Sequence, residues 1–126
     1  MMPAVLLAIH DHARRRALHD AVADAGYRVY DAASLAEARE VVTRSHVDVA
    51  FVDEGLDAAG VLAGELRRRQ TTPRPRLVRL LDPTTPTRPP SARWRPDASL
   101  RADVPAETAL ALLAMLAPLG RIVSSA

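Results

Sequence analysis

Short apolar runs and amphipathic stretches alternate along the whole chain. Residues 4–9 and 47–52 are rich in Val, Leu, Ile and Phe and lack the every-other-residue polarity of a half-exposed strand, so each predicts a strand buried on both faces. Residues 27–30 and 76–81 predict two more strands, and 97–101 a weaker fifth. Asp11 can cap a helix whose inner stripe is Leu18, Ala21, Val22 and Ala25, with Gly26 ending it. Ser34-Leu35-Ala36-Glu37 has the spacing of a capping box and opens a helix that runs to about Arg44. A third helix starts near Gly60 and carries Val61, Leu62 and Leu66, and a last one covers 105–117 with Pro105 near its first turn.

Five strands separated by helices and short connections predict an α/β fold, with a parallel sheet covered on both faces. The default arrangement is a flavodoxin-like, doubly wound five-stranded sheet of order 2-1-3-4-5 in one domain spanning 1–126, its core about 4–117 and a short tail over 118–126. The alternation breaks over 82–96, which holds Pro83, Pro86, Pro89, Pro90 and Pro96. Each proline inside a helix costs about 3 kcal/mol, so the helix due between the fourth and fifth strands is expected to be replaced by a loop carrying Arg88, Arg93, Trp94 and Arg95. That loop is a candidate interaction surface, and Trp94 is placed either on it or folded back onto the core.

Composition narrows the chemistry. With 48% hydrophobic residues but only one Trp, two Tyr and one Phe, the core must be built from Ala, Leu and Val. The chain has no Cys, which excludes disulfides, thiolate catalysis and sulfur-ligated zinc. All 17 basic residues are Arg, and 15 acidic ones leave a net charge of +2. Arg14-Arg15-Arg16 and Arg67-Arg68-Arg69 fall within predicted helices, where three consecutive side chains spread over most of a turn; direct contact with nucleic acid is not expected. No apolar stretch reaches the length of a membrane span, and 1–9 lacks the features of a signal peptide, so a cytoplasmic protein is expected. Without Lys there is no Walker-type phosphate loop, and neither Gly-x-Gly-x-x-Gly nor a nucleophile elbow is present.

Asp53 is the most informative residue. It ends the third strand, and the carboxyl ends of the strands are where open α/β sheets place their sites. The strand Val5-Leu6-Leu7-Ala8, the helix end Ala23-Asp24-Ala25-Gly26-Tyr27, the segment Ala32-Ala33-Ser34 and the strand Val49-Ala50-Phe51-Val52-Asp53 together resemble the receiver domain of the bacterial response-regulator family, over roughly 4–116. The resemblance implies that Asp53 matches the aspartate that takes a phosphoryl group from a histidine kinase. It also implies a magnesium ion, bridging that aspartate and an acidic pair after the first strand.

The departures from the family are as informative as the match. Ile9 and His10 stand at the acidic pair, and neither can replace a hard carboxylate ligand for magnesium. Asp11 lies one residue along, where helix capping is its expected role. The switch hydroxyl after the fourth strand matches Leu80 or Leu81, and the phosphate-contacting lysine matches Arg101, followed by Ala102 in place of the usual proline. Asp57 occupies another position where proline is usual. One intact residue, Asp53, and one substitute, Arg101, remain, and a permanent Asp53–Arg101 salt bridge is expected.

A degenerate, or pseudo-receiver, domain follows from this reading: no catalytic residue, no cofactor and no magnesium. Its expected partners are a signalling protein or an output domain, with a possible homodimer through the last helix (Leu110, Leu112, Leu113, Met115, Leu116) and the fifth strand. The alternative is a working phosphoacceptor. A metal site built from His10, Asp11, His12 and Asp53 is a weaker rival, because the two histidines would alternate sides if the strand continued. His19 and His46 read as ordinary surface or helix-end residues.

Overall fold

The computed structural model describes residues 2–57, 60–69, 74–84 and 94–119. Its elements run β1 (Ala4–Ala8), α1 (His12–Asp24), β2 (Arg28–Ala32), α2 (Leu35–Arg44), β3 (Val49–Asp53), α3 (Val61–Arg67), β4 (Arg76–Leu81), β5 (Ala98–Arg101) and α4 (Ala106–Leu116). The strands form one parallel sheet of order β2-β1-β3-β4-β5, as expected for the doubly wound fold. No helix lies between β4 and β5 among the described residues, and most of the Pro-rich loop, 85–93, falls outside them.

Local chemistry sets the helix ends. The Asp11 carboxylate accepts the Arg14 N–H at 3.1 Å and caps α1, and Gly26, at φ 107, turns the chain into β2. Ser34 Oγ accepts the Glu37 N–H at 3.2 Å, while Glu37 Oε1 reaches back to the Ala33 N–H at 2.7 Å. The box therefore closes one residue earlier than the standard pattern. Gly60, at φ 75, caps α3 without a side chain. Asp57 supplies what Gly60 lacks: its two carboxylate oxygens accept the N–H groups of Leu62 at 3.1 Å and Ala63 at 2.9 Å. These are orphan donors of the first turn, so a buried acid there is satisfied rather than stranded.

Strand alternation sorts the core into two layers. Leu6, Ala8, Ala50, Val52 and Leu77 face α2 and α3, and Val5, Leu7, Val49, Phe51, Val78 and Leu80 face α1 and α4. Trp94 belongs to the first layer. It is fully buried, and its indole N–H donates to the Asp57 carbonyl at 2.9 Å. Its assignment to an exposed interaction loop is thereby corrected: an indole can bury its large apolar body only where its N–H finds an acceptor, and Asp57 provides one. In the second layer Leu18 and Val22 are buried as expected, but Ala25 lies past the last turn of α1 and is exposed. The Tyr27 hydroxyl donates to the Ala117 carbonyl at 2.9 Å and ties the end of α4 to the start of β2.

Candidate functional site

The site forms at the carboxyl edge of the sheet, where β1 and β3 end side by side. Asp53 pairs in register with Leu80 on β4 and shares the face of Phe51, so its side chain belongs to the α1/α4 side. One carboxylate oxygen accepts the His10 N–H at 2.8 Å, which ties the end of β1 to β3. Burial holds the Asp53 carboxyl above the ordinary carboxylate range, against the opposing pull of the His10 N–H and the Arg14 guanidinium. Asp11 titrates below the ordinary range, chiefly because it accepts the Arg14 N–H. One of its oxygens thus serves the cap.

The first position of the family's acidic pair is sealed. Ile9 is buried in the α1/α4 layer, and its carbonyl accepts Arg15 Nη1 at 2.6 Å. The Arg14-Arg15-Arg16 run does spread around the helix: Arg15 binds the β1–α1 turn, Arg16 pairs with Asp20 at 3.5 Å, and Arg14 reaches the site. The solvated face read from the sequence holds for Arg14, which is exposed, but its place beside Asp53 was not foreseen; its position three residues after the capping Asp11 was the available signal. Two adjoining cavities open beside Asp53. One, of about 680 Å³, has His10, Asp11, Glu54 and Thr84 in its wall, and the other, of about 210 Å³, is lined mainly by apolar side chains under α1 and α4. Arg14, Asp53, Leu80 and Ala102 belong to both.

Arg101 does not pair with Asp53. Its guanidinium makes two hydrogen bonds to Asp103, at 3.1 and 3.0 Å, and so the expected bridge is corrected. The reason lies in the register: Arg101 pairs with Leu81 and Asp53 with Leu80, so the two are one step apart across β4, and an acid two residues along takes the guanidinium. Leu80 is buried and Leu81 half-buried, and neither offers a hydroxyl. The nearby hydroxyl of Thr84 donates to Asp82 at 2.8 Å. Arg95 is exposed and in the left-handed region at φ 35, with its carbonyl held by Arg67; Arg88 and Arg93 lie outside the described residues. His12 sits 3.1 Å from the Arg15 guanidinium, while His19 and His46 each meet an aspartate at 2.8 Å, Asp31 and Asp48.

No family model matches this sequence, and no curated protein matches it. Solved structures do. The chemotaxis response regulator CheY4 of Vibrio cholerae superimposes with a TM-score of 0.79 at 21% identity, covering 92% of this chain and 99% of that one. The fold is that of a response-regulator receiver domain. A CheY-like receiver domain protein from Methanospirillum hungatei matches with a TM-score of 0.78 at 16% identity, over 91% of this chain and 93% of that one. The receiver domain of the sensor histidine kinase PA1611 from Pseudomonas aeruginosa matches with a TM-score of 0.77 at 16% identity, over 92% and 98%, and that structure holds a magnesium ion coordinated in its active-site cleft.

The receiver fold implies such an ion, and the donor set at this chain's edge does not fit it. Magnesium demands near-octahedral oxygen ligation. Here Ile9 brings an alkyl group, His10 an imidazole, and Asp11 a carboxylate already serving as a cap. Among the described residues, no three His, Asp or Glu side chains converge to hold a metal.

Proposed function

We propose that this chain is a pseudo-receiver, a receiver-like domain of bacterial signal transduction that works by binding other proteins rather than by magnesium-dependent phosphorylation of Asp53. One observation carries the reading: beside the half-buried Asp53, the place of the first family carboxylate is filled by the buried side chain of Ile9. Phosphoryl transfer to a carboxylate needs positive charge on the phosphoryl oxygens in flight. An alkyl side chain cannot recruit a divalent cation to supply it, and the Arg101 guanidinium is engaged by Asp103.

On this reading the chain has no catalytic turnover and needs no cofactor, and its partner is a signalling protein or an output domain. A homodimer through α4 and β5 fits the same surface. Among the described residues Met115 on α4 is 80% exposed, while Leu110, Leu112 and Leu116 pack against the core. The cytoplasm is the compartment in which such a partner would be met, and no helix among the described residues is long and apolar enough to cross a membrane.

The working phosphoacceptor is the second reading. It is favoured by the place of Asp53 at the mouth of the larger cavity, with Asp11 in the same wall. Incubation with acetyl phosphate and magnesium, followed by intact-mass measurement, separates the two. The pseudo-receiver gains no phosphoryl mass, whereas a gain that disappears in Asp53→Asn establishes the phosphoacceptor.

A further inference from the structure

The smaller cavity, about 210 Å³, lies between the end of the sheet and the helix pair α1 and α4. Its apolar wall includes Ile9, Leu18, Leu80 and Leu100, and two of these, Ile9 and Leu80, stand where the resemblance places an acidic residue and the switch region. The same replacements that remove phosphoryl chemistry therefore give this recess its apolar lining. Alanines at 17 and 109 leave it open, since a longer side chain at either position would project into it. Asp53 forms part of the wall, with one carboxylate oxygen on the His10 N–H and the other without a hydrogen-bond partner among the described residues.

A dry apolar cavity of about 150 Å³ accepts benzene, so this one has room for a single ring with a short arm. A half-buried carboxylate with one oxygen free of protein hydrogen bonds favours a donor, and a cationic donor above a neutral one. Of the two rim arginines, Arg101 is paired with Asp103, and Arg14, which does act on Asp53, is exposed and screened by solvent. We infer that this recess is a small-molecule site for a single-ring arylalkylamine, its ring held by Ile9, Leu18, Leu80 and Leu100 and its ammonium by Asp53. No covalent step is involved. The site goes beyond the pseudo-receiver reading and stands or falls separately from the phosphorylation experiment.

The test is a titration of the full chain with phenethylamine, followed by two-dimensional amide NMR. Saturable shifts are expected, clustered at Ile9, Leu18, Leu80, Leu100 and Ala109. Ala17→Leu, an exposed change at the mouth, and Ala109→Leu, a buried one, should each abolish them. Asp53→Asn should weaken binding about tenfold, the loss of one charge-assisted hydrogen bond. Phenylacetate, with the same ring and the opposite charge, should give no saturable shifts. Absence of saturation by phenethylamine overturns the inference. So does equal binding of phenylacetate, or shifts that survive in a folded Ala17→Leu variant.

Discussion

The two faces of the sheet share strands and a packing style but end differently at the carboxyl edge. On the α2/α3 face, Trp94 fills the interior, and Asp57 satisfies both the indole N–H, through its carbonyl, and the first turn of α3, through its carboxylate. On the α1/α4 face, alanines and leucines stop short of one another, and a half-buried carboxylate borders the gap. At the carboxyl edge of the first face Trp94 fills the space and Asp57 matches the polar groups, which is what stability requires. The second leaves both space and a lone pair unused. The proposed amine site therefore belongs to the second face.

Breaking the filled face should have the largest effect. Trp94→Ala removes a fully buried indole and should destabilise the fold by about 3–5 kcal/mol, measured by urea unfolding. A loss under about 1 kcal/mol would mean that Trp94 does not fill that layer. Asp57→Ala strands the two N–H groups at the start of α3 and should cost roughly 2 kcal/mol, with amide exchange accelerated first at Leu62 and Ala63.

On the open face the sign reverses. Burial holds Asp53 above its ordinary range, so its neutral form is favoured by folding; that advantage is complete below the unfolded carboxyl value of about 3.9 and is lost as pH rises through the folded value. Asp53→Asn keeps an acceptor for the His10 N–H and drops the buried charge. It should melt above the parent at neutral pH and together with it in acid. A variant that melts lower at neutral pH would show that ionised Asp53 stabilises the fold. The smallest effect is expected at Arg101→Ala, which should leave the unfolding midpoint unchanged because its partner Asp103 is exposed. The Asp103 carboxyl, held below the ordinary range by Arg101, should move up towards it in that variant, as read by carboxyl-carbon NMR.

Sequence reasoning reached the frame more easily than the site. The periodicity of apolar positions located five strands and four helices, with β4 correct to the residue and β2 placed one residue early and cut two short. Caps at Asp11 and Ser34 were legible because a side-chain acceptor next to a helix start acts locally. Asp57 was noticed only as a departure from proline; its role depends on the chain folding back over residues 60–63, although an acid upstream of a glycine cap was a usable hint. Trp94 could be placed on either side because its burial depends on a distant carbonyl. The Asp53–Arg101 bridge failed because the two residues sit on β3 and β5, one step out of register across β4, while Asp103 lies two residues from Arg101. Long-range pairing of this kind leaves no trace in local spacing.

The pseudo-receiver reading rests on electrostatics: beside Asp53, Ile9 and His10 stand where a hard divalent cation would take carboxylate oxygens. Magnesium titration of the labelled protein, monitored at the amides of His10, Asp11, Asp53 and Glu54, tests it most directly. The account predicts weak, non-saturating drift at these four amides, no larger than at exposed carboxylates elsewhere on the surface. A saturable shift centred on Asp53 and abolished by Asp53→Asn would contradict it.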